Sequence, residues 1–269
     1  MKKIAFASLL LIVFSCQRKS VSQGQTTGSS TQQELRVLCY NIHHANPPSK
    51  ADFIDIDAIA RVIREAKPDV VALQEVDKNT GRSGNIDEAR MLAEKTGLQY
   101  HFFKAIDHDG GDYGLAILSQ LPMKDPGHLP LPQVVEAENR ILSYVTITVN
   151  AQELLFANTH LDASREHDNR VVQMQAILKK LEAEKKPVIL CGDLNSMAGS
   201  EPINLLDTQF RRTCINDCPG TIPVNKPIRT IDYIATRNLP WPLLSYEVIP
   251  ETYASDHRPI IAVFKTANP

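Results

Sequence analysis

Residues 141–160 read ILSYVTITVNAQELLFANTH, and this stretch does most to decide the fold class. Its first half places apolar side chains on one face at a period of two, as a half-buried strand demands: Ile141, Val145, Ile147 and Val149. Residues 154–160 form a second strand-like run. Two strands therefore follow each other here without a helix between them, so the sheet is not built from β-α-β units alone.

The rest of the chain alternates short β-branched runs with helical patterns. Residues 35–41 and 70–76 predict two strands, and the apolar spacing of residues 56–66 predicts an amphipathic helix between them. Further strands are predicted at 113–119, 188–195, 231–236 and 260–264, and further helices at 87–96 and 164–184. This mixture predicts one α/β domain with mixed sheets, in which two sheets face each other and the helices lie outside.

The composition excludes several classes of protein. Hydrophobic residues make up 43% of the 269 residues and charged residues 22%, which excludes a collagenous, low-complexity or wholly disordered chain. The 29 Lys and Arg residues against 31 Asp and Glu residues argue against nucleic-acid binding through bulk positive charge. A nuclease with a local basic groove stays open.

Residues 1–16 predict export. Two lysines precede a run over residues 4–14 that is apolar except for Ser8, and a small residue and Cys16 follow it. The run is shorter than the roughly 20 apolar residues that a membrane-spanning helix needs. Because residues 13–16, VFSC, resemble the lipobox of bacterial lipoproteins, we expect a lipoprotein signal peptide with an acylated Cys16. The alternative is an ordinary cleaved signal with an incidental cysteine.

Residues 17–34 predict a flexible tether, since they are rich in Ser, Thr, Gln and Gly and contain no aromatic residue. The folded domain is then expected to cover residues 35–269. We therefore expect an exported protein that is lipid-anchored at the bacterial cell envelope through Cys16. We expect its domain to be a monomer outside the cytoplasm.

The other four cysteines form two pairs of different character. Cys39 and Cys191 lie inside apolar strand-like runs, where a buried free thiol is the commoner state. Cys214 and Cys218 flank a turn-like segment, and both a small-loop disulfide and two free thiols stay open there. No CxxC pair or Cys/His cluster in the sequence indicates zinc.

Polar residues that a core disfavours recur where the predicted strands end or begin. Those at strand ends are Asn41, Glu75, Asn158, His160, Asp193 and Asn195, and those near strand starts are Asp232, Asp256 and His257. A single strand-end Asp or Asn is usually a turn former. Because strand ends on one rim converge on one crevice, several carboxylates there repel one another unless a cation or shared protons relieve them.

The types of these residues indicate a chemistry. Carboxylate and amide oxygens without thiolates suit a hard divalent ion such as Mg²⁺ or Mn²⁺. Histidines beside such a cluster supply proton transfer and stabilise developing negative charge. A hard metal ion, a carboxylate able to activate water and imidazoles facing the leaving oxygens together predict phosphoester hydrolysis.

Seven segments resemble, in this order, the endonuclease/exonuclease/phosphatase superfamily: NIHHA, LQEVD, YGLAILS, NTHLD, GDLNS, IDYI and SDHRP. The resemblance spans residues 35–264, and GDLN followed by SDHRP is its most specific pair of signals. It implies a DNase I-like α/β fold, a four-layer α/β/β/α sandwich of two facing mixed sheets flanked by helices. It also implies dependence on Mg²⁺ or Mn²⁺ and phosphoester cleavage by in-line attack of water.

The resemblance assigns metal and water roles residue by residue. It implies that Glu75 is the main metal ligand and that Asn41 and Asp256 lie beside the metal. It implies that Asp193 orients and deprotonates the attacking water, and that Asn195 holds Asp193 and the phosphate.

The resemblance also assigns roles towards the phosphate. It implies that His257 contacts the scissile phosphate, oriented by Asp232, and that His160 stabilises the phosphoryl oxygens. The alternative for both histidines is that they are satisfied core residues. Many relatives carry an asparagine where this chain has Leu115, which leaves Tyr113 as the polar candidate on that strand.

Three further residues are candidate substrate contacts: Arg82, Arg140 and His43, the last with its neighbour His44. A guanidinium suits phosphate oxygens, and Arg140 stands at the head of a predicted strand. The alternative is that these are solvated loop residues.

The leading interpretation is an exported, membrane-tethered, metal-dependent phosphoesterase that acts on a phosphodiester or phosphomonoester. A secreted DNase I-like nuclease is the nearest alternative, but the chain has no Lys/Arg-rich segment and Trp241 is its single tryptophan, so there is no strong nucleic-acid signal. A sphingomyelinase-like lipid enzyme needs an exposed apolar loop; residues 239–244, LPWPLL, are either that or an ordinary loop and strand start. A non-catalytic binding lipoprotein is disfavoured because the site residues are intact.

Overall fold

The structure is a computed structural model that describes residue 1 and residues 33–266. The predicted signal peptide, with Cys16, lies outside the described residues apart from Met1, as does most of the predicted tether. Within the described part of the chain, no helix is long and apolar enough to cross a bilayer.

The described residues form twelve strands, four α-helices and a short 3-10 turn. In chain order these are β1 (Glu34–Asn41), the 3-10 turn (His43–Ala45), α1 (Ile56–Ala66), β2 (Val70–Lys78), α2 (Glu88–Thr96), β3 (Gln99–His108), β4 (Gly111–Ser119), β5 (Met123–Pro130), β6 (Ile141–Val149), β7 (Gln152–His160), α3 (Asp168–Glu182), β8 (Val188–Asp193), α4 (Glu201–Asp207), β9 (Arg211–Arg212), β10 (Asp232–Arg237), β11 (Leu243–Val248) and β12 (Ile260–Lys265).

The strands form two six-stranded mixed sheets. The first has the order β11-β12-β1-β2-β4-β3, and the second has the order β5-β6-β7-β8-β10-β9. The pair β1 and β2 in the first sheet and the pair β7 and β8 in the second run parallel. A helix joins each parallel pair, α1 in the first and α3 in the second, as a parallel crossover requires. The predicted fold class is confirmed.

Three apolar clusters hold four layers together. The central cluster lies between the sheets and includes Cys39 from β1 and Cys191 from β8. A second cluster packs α1 and α2 on the outer face of the first sheet, with Ile59 fully buried. The third packs α3 and α4 on the outer face of the second sheet, with Met174 fully buried. The layers therefore run helix, sheet, sheet, helix.

The structure gives the state of the four cysteines in the folded domain. Cys39 and Cys191 are buried free thiols, as expected. Cys214 and Cys218 form a disulfide. Trp241 is buried in the central cluster, and β11 begins two residues after it, so residues 239–244 are a loop and strand start, in which Leu243 and Leu244 are exposed.

The helix predicted at 164–184 begins later, at Asp168. The guanidinium of Arg170 donates to the backbone carbonyls of Asp162 and Ser164, at 2.9 Å and 2.6 Å. Because the guanidinium occupies these two carbonyls, they do not accept the backbone N–H groups of a helix. The segment before Asp168 is therefore a loop.

The predicted strand at 188–195 ends earlier, at Asp193. Asn195 has φ 47, which is outside the strand region of backbone conformation. This turn brings the backbone N–H of Asn195 to within 2.9 Å of Asp193 Oδ1.

Candidate active site

Four strands bring the predicted site residues to one end of the sandwich. His160 pairs with Asp193 in the β7–β8 register, and Asp232 pairs with Asp193 in the β10–β8 register. Asn41 ends β1 in the other sheet, and its amide Nδ2 donates to Asp193 Oδ2 at 3.1 Å. The site therefore lies between the two sheets, where these strands end or begin.

Asp193 is the centre of the cluster and is only 1% exposed. Besides Asn41, its Oδ2 has His160 Nε2 at 3.5 Å and His257 Nε2 at 3.7 Å. Burial and the nearby Asp232 carboxylate raise the pKa of Asp193 to about 7. A carboxyl group with a pKa near 7 can give up and take back a proton near neutral pH.

His257 forms a pair with Asp232. Its Nδ1 lies 2.9 Å from Asp232 Oδ2, which leaves Nε2 directed towards Asp193. Burial lowers the pKa of His257, but the Asp232 and Asp193 carboxylates outweigh it and raise that pKa to about 10. The imidazole is therefore charged at neutral pH. Ser255 Oγ holds residues 255–257 against the end of β1, since it accepts the His257 backbone N–H and donates to the Asn41 carbonyl.

His160 is the neutral counterpart of His257. Arg140 Nη1 donates to its Nδ1 at 2.9 Å, so the ring proton is on Nε2 and faces Asp193. Burial, then the positive charges of Arg140 and His257, lower the pKa of His160 well below its ordinary value. Its Nε2 also lies 3.0 Å from Asn195 Nδ2; since both atoms carry protons in this tautomer, this is a contact and not a hydrogen bond, and the amide donates to the Leu161 carbonyl instead. The predicted residues Arg140, Asp193 and Asn195 thus meet around one imidazole.

Glu75 reaches the site from a β-bulge. The register of β2 against β4 shifts between Leu73 and Val76, and Glu75 has φ 56, an uncommon conformation for a non-glycine residue. Its Oε1 accepts the other hydrogen bond of Asn41 Nδ2, at 2.9 Å. Asn41 therefore bridges the carboxylates of Glu75 and Asp193.

Two groups of side chains could hold a metal ion among the described residues. Asp193, Asp232 and His257 form one, and His43, His44 and Glu75 form the other; the ligand atoms of each group lie within 4.8 Å of one another. The Glu75 group offers a carboxylate and two imidazoles to a divalent ion, whereas the other group offers only its carboxylates, since the charged His257 has no free nitrogen lone pair. His44 Nδ1 is buried without a hydrogen-bond partner among the described residues, so this nitrogen is available as a metal ligand.

Asp256 lies beside the other predicted site residues but is in neither candidate metal group. Its charge acts on both His44 and His257, and Ser255 Oγ donates to its Oδ1 at 3.4 Å. His43 is close to Glu75, but its Nδ1 is 2.8 Å from the Asn46 carbonyl oxygen, which leaves Nε2 for the site. The Oδ1 of Asn41 accepts the backbone N–H of His43, so the NH2 end of the Asn41 amide faces the carboxylates of Glu75 and Asp193.

Tyr113, Arg82 and Arg140 line one side of the site. The Arg82 guanidinium lies 5.3 Å from the centre of the Tyr113 ring. Burial and the Glu75 carboxylate raise the pKa of Tyr113, which is also hydrogen-bonded to Arg140. Arg140 is buried rather than solvated, and it pairs with Glu138 at 3.0 Å.

Sequence reasoning missed Asp77, which orients Arg82. The guanidinium binds both Asp77 oxygens, at 2.7 Å and 2.9 Å. The signal that could have found it is the LQEVD segment itself, whose final residue is this aspartate. Asn158, in contrast, is a strand-end residue with a structural role, since its Nδ2 donates to the Leu73 and Ala116 carbonyls of the opposite sheet.

Comparison with known proteins gives consistent results. A family model described as the Endonuclease/Exonuclease/phosphatase family matches residues 38–257. The chain is similar to an endonuclease/exonuclease/phosphatase from Beutenbergia cavernae DSM 12333, with 23% identity and a TM-score of 0.75 over 88% of this chain and 72% of that one. It is also similar to a mannosyl-6-phosphatase from Bacteroides thetaiotaomicron VPI-5482, with 18% identity and a TM-score of 0.70 over 86% of this chain and 100% of that one. The human Nocturnin catalytic domain with bound sulfate gives 21% identity and a TM-score of 0.70 over 88% and 95% of the two chains. At these identities the similarity to solved structures concerns the fold.

Proposed function

The chain belongs to the endonuclease/exonuclease/phosphatase family, and from that membership we propose that it is a metal-dependent phosphoesterase that hydrolyses its substrate by in-line attack of water. Its fold is the phosphoesterase-type fold of that family, whose members are generally phosphoester hydrolases. The proposal extends to an exported enzyme that is tethered at the cell envelope through a lipid on Cys16.

One observation carries the catalytic part of the proposal: Asn41, His160 and His257 converge on a single oxygen of the buried Asp193. A carboxylate with a pKa of about 7 is suited to accept the proton of an attacking water near neutral pH. The N–H groups around it are suited to bind phosphate oxygens, since they already face the negative charge of Asp193.

The two histidines have different tasks in this mechanism. His257, charged and held by Asp232, stabilises the negative charge that develops on the phosphoryl oxygens. His160 stays neutral and donates from Nε2, because Arg140 occupies its Nδ1. Arg140 therefore acts through His160 and fixes the orientation of that ring.

Glu75 would hold the divalent cation, and Asn41, whose amide N–H group bonds the Glu75 and Asp193 carboxylates, would lie beside it without ligating it. When bound, such an ion neutralises phosphate charge and makes water a better nucleophile. The bulge at Glu75 directs its carboxylate towards Asn41 rather than along the β2–β4 ladder. Metal binding and the geometry of Asp193 are linked, because the same amide of Asn41 bonds both carboxylates.

The test is a hydrolysis panel in Mg²⁺, in Mn²⁺ and in EDTA, with p-nitrophenyl phosphate, bis-p-nitrophenyl phosphate, sphingomyelin, inositol phosphates and plasmid DNA. We expect activity that EDTA abolishes and that Glu75→Gln lowers by about 100-fold or more, since the variant keeps the shape but loses the charge that binds the ion. Glu65→Gln, at an exposed position on α1, is the matched control and should keep full activity. Full activity in EDTA contradicts the proposal. Preferred cleavage of plasmid DNA would identify a nuclease instead.

A further inference from the structure

A groove of about 420 Å³ opens beside Asn195. Its walls come from the loop after β7, the turn after β8 and the segment that precedes β10. Three arginines line it, Arg165, Arg170 and Arg229, together with His167. Within residues 33–266, no aspartate or glutamate lines the groove, so its charge is one-sided.

Arg170 is the unusual member of this set, because it is only 3% exposed. Its Nη1 donates to two backbone carbonyls, and its Nη2 lies 2.6 Å from His167 Nδ1. None of these partners is a carboxylate, and its Nε has no hydrogen-bond partner in the described part of the protein. Burial lowers the pKa of Arg170, and the more distant Asp162 and Asp193 carboxylates offset this only in part. A buried cation without a direct counter-ion is costly unless a ligand supplies the opposite charge.

Arg165 and Arg229 are exposed residues on opposite walls of the same groove. Backbone hydrogen bonds from Thr221 and Ile222 to the Arg229 carbonyl fix the position of that wall. The two guanidinium groups are free to meet a ligand, whereas Arg170 contributes its charge from below. Guanidinium groups are the side chains best suited to bind phosphate oxygens in pairs.

The groove is continuous with the reacting centre. Asn195 lines it, and the same residue donates its backbone N–H to Asp193 and places Nδ2 by His160. We infer that this groove binds a second anionic group of the substrate, so that the enzyme prefers a phosphoester that carries a further phosphate near the scissile one. This inference rests on the proposed function and narrows its substrate class.

Two charge-removing variants test the inference, Arg165→Gln and Arg229→Gln, alone and combined. We compare the hydrolysis of inositol 1-phosphate and inositol 1,4-bisphosphate. For the bisphosphate we expect each variant to raise KM about tenfold with kcat unchanged, because the lost contact is a charge-assisted hydrogen bond in both ground and transition states. For the monophosphate we expect KM to change by about twofold at most. Arg211→Gln, an exposed arginine on β9 that does not line the groove, is the matched control.

A lipid headgroup and a soluble compound can present the same second phosphate. Phosphatidylcholine vesicles that contain phosphatidylinositol 4-phosphate separate these sources. If the two arginines affect the vesicle assay alone, the second phosphate belongs to a lipid; if they affect the soluble assay alone, it belongs to a free compound. Either result supports the groove.

Binding without turnover separates this inference from the proposed function. In EDTA, calorimetry on the Asp193→Asn protein should show inositol 1,4-bisphosphate binding that the combined arginine variant weakens about 100-fold. If that dependence is seen while the wild type hydrolyses no phosphoester, the proposed function fails and the groove stands. If the combined variant binds and hydrolyses the mono- and bisphosphates as the wild type does, the groove has no such role.

Discussion

His257 bonds Asp232 through Nδ1 at 2.9 Å and presents Nε2 to Asp193. Nδ1 therefore fixes the orientation of the imidazole, and Nε2 is the nitrogen that faces the other site residues. Because the Asp232 carboxylate is 1% exposed and bonded to His257, we expect it to act through this ring rather than on the phosphate. The two residues should behave as one unit.

Removal of His257 and removal of Asp232 should therefore have non-additive effects. We expect His257→Ala to lower kcat by about 10²–10⁴-fold, as loss of a charge stabiliser does, with the fold intact. Asp232→Asn alone should cost less, and it should add little in the His257→Ala background. Steady-state kinetics of the two single variants and the double variant measures this coupling. Circular dichroism checks that each variant is folded. Fully additive losses would contradict the pairing.

Glu88 is a buried acid outside the catalytic cluster. It begins α2, is fully buried, and accepts the Asp77 backbone N–H through Oε2 at 2.8 Å. Burial raises its pKa from 4.5 to about 8. Because the folded-state pKa lies above the unfolded-state value, the stability that Glu88 contributes is complete below pH 4.5 and is lost as the pH rises to about 8.

Glu88→Gln should remove this pH dependence. The amide keeps the acceptor for the Asp77 N–H and never ionises, so the variant should be more stable than the wild type by up to a few kcal/mol above about pH 8. Near pH 4.5 the two proteins should be about equally stable. Urea denaturation at the two pH values measures the difference. Glu94→Gln, an exposed position on the same helix, is the control. An equal difference at both pH values would show that Glu88 does not titrate in this window.

At the scale of the element, the sequence predicts central strands better than edge strands. All eight predicted strands exist, and each occupies an inner position in a sheet. The four unpredicted strands, β3, β5, β9 and β11, are the four edges. An edge strand is half exposed and tolerates polar residues, and β5 even contains two prolines and a glycine, so it has no continuous apolar pattern.

The site residues also divide into those that a local sequence pattern reveals and those that it does not. Asn41, His160 and Asp193 were predictable because polar residues at the ends of apolar runs interrupt a clear pattern. Asp77 and Ser255 were not singled out, because their roles come from contacts with residues that the fold brings close, Arg82 and Asn41. Two of the groove arginines, Arg165 and Arg170, lie close together in the sequence, whereas Arg229 is far along the chain, and no local pattern relates it to them.

The β7–β8 pair depends on a close backbone approach at Gly192. A Cβ atom there would lie 2.2 Å from the Thr159 carbonyl oxygen, one residue before the paired His160 and Asp193. We expect Gly192→Ala to cost about 3 kcal/mol or more, because the strands must separate. Gly199→Ala is the control: its Cβ would meet open space, and only its φ of +88 is unfavourable, so its cost should be about 1 kcal/mol.

Activity separates the two glycine variants further. Separation of β7 from β8 moves His160 away from Asp193, so Gly192→Ala should also lose kcat at temperatures where it is folded. Thermal denaturation and kinetics on both variants measure these effects. If Gly192→Ala is as stable and active as Gly199→Ala, the close approach of the strands is not what positions the site.

At the scale of the whole molecule, the site needs both sheets. Asn41 and Glu75 come from the first sheet, whereas Asp193 and Asp232 come from the second. Their meeting depends on the central apolar cluster between the sheets and on the Asn158 hydrogen bonds across it. Loss of packing in that cluster should therefore weaken activity as well as stability, because Glu75 and Asp193, the proposed metal ligand and the proposed base, would move apart.

The N-terminal segment determines where this molecule is expected to act. Residues 13–16, VFSC, end a short apolar run, and the polar residues 17–34 separate them from the domain. If Cys16 carries lipid, the domain stays at the membrane while its active site reaches substrates within the length of the tether, because acyl chains together hold a protein stably on a bilayer. We expect Cys16→Ser to move the enzyme from the membrane fraction to the soluble fraction with unchanged kcat. The double variant Cys214→Ser/Cys218→Ser, which removes the disulfide but keeps Cys16, should stay in the membrane fraction. Ultracentrifugation and the mass of the N-terminal peptide measure the outcome, and a wild-type protein recovered wholly soluble with an unmodified N-terminal segment would exclude the anchor.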